Sequence, residues 1–294
     1  MFHPSATVVG AAGVLPCRVK DNAYVFGYHG FLYTTLNAIS AETLRHPGVL
    51  LLTADRSPVE VTLRDGRCFR ASALVIAPRT ARRLSAGDQP LISINVLPSS
   101  RWFHVLRALR GRQEVAILDR DGFTPLDAAM GRLFAGDATP AQAECVFDHA
   151  LAEVDRQLPT STTADPVALD LLARLDLDPN LTVDDLALAC SRPAAWVQRT
   201  LSNELDMSMR DYQNWLKQRR VFELLYTRRS LTQVALESGF GDSPQFSRTF
   251  QRWYGQSPSY SRNPNHVRIF INRERYPAQE LPGTALGEAS GQAA

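Results

Sequence analysis

His29, His46 and His104, four scattered cysteines and the run Gly239-Phe240-Gly241 are the residues of this 294-residue chain with the types that most often do chemistry. A metal centre needs ligands at short spacing. The three histidines form no H-x-H pair, and no two of Cys17, Cys68, Cys145 and Cys190 are spaced as CxxC. No metal site and no catalytic cluster is expected, and the cysteines read as free, buried thiols of a reducing compartment. A phosphate-cradling glycine loop follows a strand and carries a third glycine. The stretch GFGDSPQFSRTF follows a helical pattern and has Pro244 at the third-glycine position, so no nucleotide cofactor is expected. Other side chains can pair with base edges: Gln198 and Arg199 in one helix-patterned segment, Gln245 and Arg248 in another. Glutamine pairs bidentately with adenine and arginine with guanine.

The segments that must position these residues form a repeat. The first copy is LTVDDLALACSRPAAWVQRTLSNELDMS and the second LTQVALESGFGDSPQFSRTFQRWYGQSP. Thr182 and Thr232 are the expected helix caps. Ala187 and Ala235 each precede a turn position, Ser191 or Gly239, by four residues. The turn calls for positive φ, and the small alanine lets two helices cross closely. In the second helix of the first copy Val197, Leu201 and Leu205 should face the core, leaving Ala195, Gln198, Arg199 and Ser202 outside. In its counterpart Phe246, Phe250 and Trp253 should turn inward, with Pro244, Gln245, Arg248 and Arg252 outside. Phe240 is expected as a core plug, with Asp242 or Ser243 as the cap before Pro244. The stretch SMRDYQNWLKQRRVFELLYTRR joins the two units, with Tyr212, Leu216, Val221, Leu224 and Leu225 as its apolar face. A helix of about 20 residues spans about 30 Å, close to the roughly 34 Å of one DNA turn.

This repeat, and above all VALESGFGDSPQFSRTFQRWYGQSPSYSR, resembles the DNA-binding domain of AraC-type bacterial transcription regulators. The resemblance covers about 100 residues and includes Ala235, Gly239, Phe240, Phe246, Arg248, Phe250, Gly255, Ser257 and Pro258 in order. It implies that the second helix of each unit enters the major groove of double-stranded DNA. By resemblance the groove-facing positions are Ala195, Gln198, Arg199, Ser243, Pro244, Gln245 and Arg248. The first unit departs from the family pattern: Ser191 replaces the usual glycine, Arg192 an apolar residue and Pro193 a serine cap.

Net charge is only +2, but it is unevenly spread. Between Ser208 and Arg262 nine basic residues face four acidic ones, whereas between Pro166 and Met207 three face seven. Phosphate contacts need cations, so the second unit is expected to carry more of the non-specific affinity.

The first hundred residues read as short strands joined by turns. Val59, Val61 and Leu63 alternate with polar residues before Asp65-Gly66, a hairpin signal with a return strand over 68–76. HPGVLLLTAD and LISINVLP supply further strands. After Pro98 the period becomes helical, with Trp102, Val105, Leu106 and Leu109 on one face and two Thr-Pro helix starts. The expected fold class is α+β: a strand domain at 1–100, which the resemblance makes a cupin-like barrel, a helical segment at 101–158, by resemblance for dimerisation, and a polar linker at 159–165. An all-α reader with two helix-turn-helix units follows at 166–264, then a tail at 265–294 whose composition favours disorder. By resemblance, the barrel would take a small-molecule effector and the helices after it would form a homodimer. Tyr24, Tyr28, Tyr33 and His46 could line an effector pocket inside the barrel.

The chain has neither a signal-peptide pattern nor an apolar run of membrane length, and a cytoplasmic protein is expected. The leading expectation is a non-enzymatic, sequence-specific DNA-binding regulator whose partners are promoter DNA, a second copy, an effector and RNA polymerase. A cupin-type metalloenzyme with a helical appendage is the alternative from another class. An interaction protein whose reader has lost specificity is the third.

Overall fold

The computed structural model describes residues 8–271, except for short stretches at 11–12, 16–19, 27–28, 37, 99, 110–112, 159–164, 179–180 and 206–207. The expected linker falls mostly outside the described residues, as do Tyr28 and Cys17.

The N-terminal part is built from strands. β1 (Val8–Gly10) and β2 (Gly13–Leu15) form a small hairpin. They are followed by β3 (Asp21–Val25), β4 (Gly30–Thr35), β5 (Ile39–Thr43), β6 (Gly48–Thr53) and β7 (Val59–Leu63). β8 (Cys68–Ala71), β9 (Ala73–Ile76), β10 (Arg82–Ser85) and β11 (Leu91–Val96) complete the run. Gly66 takes φ 90° in the turn between β7 and β8. The return strand expected over 68–76 is broken at Ser72. β8 pairs with β7 in a four-stranded sheet, while β9 pairs with β6 in a seven-stranded one. The chain thus switches sheets, which is how a two-sheet sandwich turns its corners. Val49, Leu51, Val59, Val61, Leu63, Leu74, Ile76 and Leu91 form a core between the sheets.

The segment after β11 is not wholly helical as expected. α1 (Phe103–Arg107) is short, and β12 (Val115–Ile117) then adds an edge strand to the larger sheet. The first Thr-Pro pair does not start an α-helix. Thr124 and Pro125 lie inside a 3₁₀ turn, Arg120–Leu126, that leads into α2 (Asp127–Ala135). The second pair does: Thr139 caps α3 (Pro140–Gln157) with a reciprocal bond from Gln142. α3 buries Ala143, Val146, Phe147, Ala150, Leu151 and Val154 with Leu50, Leu52, Ile92 and Ile94 of the sheet.

The C-terminal part is helical. α4 (Pro166–Leu177), α5 (Val183–Cys190) and α6 (Ala194–Leu205) form the first unit. α7 (Met209–Leu225) leads to the second, made of α8 (Leu231–Glu237), α9 (Ser243–Tyr254) and α10 (Pro258–Arg262). α7 serves both units. Tyr212, Trp215 and Leu216 join Leu171, Leu186, Val197 and Leu201 in the first core, and Val221, Leu224 and Leu225 join Phe246, Phe250 and Trp253 in the second.

Two further expectations change. The tail does not leave the molecule at 265: β13 (Val267–Ile271) runs parallel to β3 as the outer strand of the larger sheet. Phe270 stacks on Tyr24 with ring centres 4.6 Å apart, and Arg268 Nε donates to Asn22 Oδ1 at 2.8 Å. An apolar VRIFI run finds a strand edge from the other end of the chain, a pairing that no local pattern encodes. Among the described residues the thiols are free, but Cys68 and Cys145 are exposed and Cys190 half-buried rather than in the core.

Candidate nucleic-acid interface and effector cavity

The two helix pairs are built alike. Thr182 caps α5, with Asp185 bonding back to it, and Ser230 caps α8, with Gln233 bonding back. Thr232 is therefore not the cap of the second unit; the shared Leu-Thr pair is out of register by two residues. Both first helices end in a left-handed residue, Ser191 at φ 53° and Gly239 at φ 81°. Beyond each, an N–H reaches five residues back: Arg192 to the Ala187 carbonyl and Phe240 to the Ala235 carbonyl, each at 3.0 Å. Serine thus adopts, at a conformational cost, the backbone that glycine takes freely.

The second helices present the expected faces. Val197 and Leu201 are buried, as are Phe246, Phe250 and Trp253, while the side chain of Leu205 lies outside the described residues. Ala195, Gln198 and Arg199 are exposed on α6, and Pro244, Gln245, Arg248 and Arg252 on α9. Ser243 is half-buried and is the first residue of α9. Asp242 is the cap, accepting from the Gln245 N–H at 2.6 Å. Gln245 Oε1 in turn accepts from the Gly241 N–H at 2.9 Å. Its carboxamide oxygen is thus committed to the turn, and its NH₂ end is what it can offer a ligand. Arg192 lies 5.4 Å from the Trp196 ring centre, a stacked pair at the start of α6.

The basic surplus of the second unit is smaller in effect than in sequence. Arg219 and Arg220 share Glu223, Arg229 pairs with Glu237, and Arg262 donates to the carbonyls of Thr227 and Arg229. Among the described residues, Lys217, Arg228, Arg248 and Arg252 are the exposed cations of this stretch.

The sheet domain holds the reader at several points. The Leu44 N–H donates to the Arg252 carbonyl near the end of α9, and Arg107 donates to the Asn203 carbonyl near the end of α6. His46 Nδ1 and Gln218 Oε1 of α7 are 3.0 Å apart, and Arg79 pairs with Asp211 of α7 at 3.2 Å. Burial pushes the His46 imidazole below its ordinary value, partly offset by the bond to Gln218. Burial acts to raise the Asp211 carboxyl, but bonds from Ser208 and the charge of Arg79 bring it below the ordinary value.

A cavity of about 100 Å³ lies at this junction. Val25, Phe31, Tyr33 and Leu91 of the sheet form one wall, and Phe222, Tyr226, Phe250 and Tyr254 of the reader form the other. Apolar side chains fill the space between the sheets, and this cavity lies outside it. Of the four expected lining residues, Tyr33 lines this cavity. Tyr24 is a core residue whose hydroxyl donates to the Leu133 carbonyl at 3.0 Å, and His46 faces a separate recess. Tyr33 and Tyr260 both donate to Asp21; burial raises that carboxyl above its ordinary value while these hydroxyls act against the rise.

Sequence patterning missed Arg45, which lies on the cavity wall. Its guanidinium donates to Asn95 Oδ1 at 3.2 Å and the Tyr254 carbonyl at 3.3 Å, while its Nε has no partner. Burial lowers its pKa. An arginine in the loop between two strands carries no pattern that distinguishes it from a solvated one. The three histidines of the N-terminal part are not brought together, and among the described residues no three His, Cys, Asp or Glu side chains are grouped to hold a metal ion. Among the described residues no helix is long and apolar enough to cross a membrane.

Residues 193–263 match a family described as "Helix-turn-helix domain". The match runs from the first turn of α6 past α10. No curated protein matches the chain. Among solved structures, ToxT from Vibrio cholerae O395 is similar at 13% identity and TM-score 0.50, over 78% of this chain and 94% of that one. An apo single-residue variant of ToxT from V. cholerae strain SCE256 is similar at 10% identity and TM-score 0.52, over 79% and 96%. At such identities the likeness is one of fold, a cupin-like sheet domain followed by a helical domain. α6 to α10 fall inside the stretch matched by that helix-turn-helix family, and over the whole chain the likeness to solved structures is one of fold.

Proposed function

We propose that the protein binds a defined DNA sequence by laying α6 and α9 into successive major-groove segments on one face of the duplex. The observation that carries this is the exposure of Gln198 and Arg199 on one helix and Arg248 on the other, each backed by a buried apolar face. At about 1.5 Å per residue the 17-residue α7 spans roughly 26 Å, a spacing of the order of one DNA turn. Ala195, Ser243, Pro244 and Arg252 flank the reading residues and shape the contact. Footprinting with purified protein tests the reading. Arg248→Ala and Gln198→Ala should each weaken protection of the site while leaving non-specific binding largely intact. Unchanged protection with both variants would leave an interaction protein as the better account.

The cavity supports a second function, sensing. Its volume is below the roughly 300–1,000 Å³ of most ligand pockets. A ligand with an apolar body and a polar or anionic head facing Arg45 would therefore part the sheet from α7 and α9 as it entered. Binding and DNA affinity would be coupled through one joint. A second copy of the chain would raise effective concentration at paired sites. α3 exposes Ala141, Cys145, His149 and Ala152 along one side, a face suited to close helix approach between two copies. Sedimentation of Ala152→Arg against the wild type tests this: the variant should be monomeric. RNA polymerase remains the partner that the regulator reading implies.

A further inference from the structure

Beside α9 lies a second recess, of about 400 Å³, with walls from both parts of the molecule. Arg79 and Arg45 come from the sheet domain, Lys217 from α7 and Arg252 from α9, against a single carboxylate, Asp211. Gln245 lines it as well, so the recess is continuous with the proposed reading face. Arg79 stands at φ 57°, a backbone that residues other than glycine seldom adopt, and its N–H is tied to the Arg45 carbonyl at 2.9 Å. Strain of this kind persists where surrounding structure fixes a side chain in place. Here it aims the arginine away from its own sheet, at the start of α7, where it meets Asp211.

We propose that this recess holds a backbone phosphate of the bound DNA, so that Arg79 of the sheet domain contacts DNA together with Lys217 and Arg252. The proposal rests on the DNA-binding reading above. A phosphate is the fitting ligand because the recess gathers cations beside exposed, groove-facing side chains, and a duplex seated on α9 brings its backbone to the flank of that helix. Phosphate contacts fix register and orientation rather than sequence. The N-terminal part is thereby a portion of the DNA-binding surface as well as a sensor.

The phosphate contribution is independent of sequence, so the test needs no known operator. Binding of the full chain to an arbitrary duplex is measured over a range of salt. Each phosphate contact contributes about −0.9 to the slope of log affinity against log salt. Arg79→Gln and Lys217→Gln should each flatten the slope by about 0.9, and Arg79→Lys should keep it near the wild-type value. Thermal melting of each variant identifies any loss of fold, and Lys217→Gln serves if Arg79→Gln unfolds. A wild-type slope in both Gln variants would overturn the proposal, as would equal loss in Arg79→Lys and Arg79→Gln, which would mark Arg79 as a positioning partner of Asp211. A wild-type chain with no salt-dependent duplex binding would instead sink the DNA-binding reading itself.

Discussion

At the scale of single residues, the equivalence of Ser191 and Gly239 is the most consequential detail. Both sit in left-handed backbone at the same point of the repeat, but serine pays for it and glycine does not. Ser191→Gly should stabilise the first unit by up to about 1 kcal/mol, read as a higher urea midpoint with unchanged m-value. Gly239→Ala should cost a similar amount or more. A Cβ there would come no closer than 3.5 Å, to Lys217, so the cost is conformational rather than steric. His46 gives a pH dependence. Its folded pKa lies below the ordinary value of about 6.5. As pH falls below that value the unfolded chain takes up the proton first. The stability contribution is therefore full above about pH 6.5 and is lost as pH falls through the lowered value. Melting temperature against pH should show this loss, and His46→Gln should reduce it. The positive φ at the turn was legible because its neighbours are local. Arg45 was not, because what makes it notable is what the other half of the chain places beside it.

At the scale of elements, caps and faces followed from sequence where their partners lie within a turn or two. Thr139 with Gln142, Thr182 with Asp185 and Asp242 with Gln245 are such cases. Thr232 misled because a repeated Leu-Thr pair suggested a register that the backbone does not keep. β13 was hidden for a different reason: parallel pairing between residues 267–271 and 21–25 depends on contacts across nearly the whole chain. That strand anchors the reader to the sheet. Arg268 satisfies Oδ1 of the fully buried Asn22 and also donates to the Ala135 carbonyl at 3.0 Å. Arg268→Ala should leave a buried acceptor unpaired and cost about 1–3 kcal/mol in denaturant unfolding. A loss within error of zero would mean that β13 holds no essential contact.

At the scale of the whole molecule, the cavity, the recess and the two reading helices meet around α7. The sheet domain touches the ends of both reading helices, through Arg107 to Asn203 and Leu44 to Arg252, and touches α7 through His46 and Arg79. Their spacing is thus set by the joint that the proposed ligand would open. The central claim is that α6 and α9 read two segments of one duplex face. Selection of bound sequences from a random duplex pool, with the wild type and with Gln198→Ala and Arg248→Ala, tests it most directly. The account predicts two preferred segments centred about one helical turn, roughly 10 base pairs, apart, with each variant relaxing preference in one segment only. A single preferred segment, or relaxation of the same positions by both variants, would contradict it.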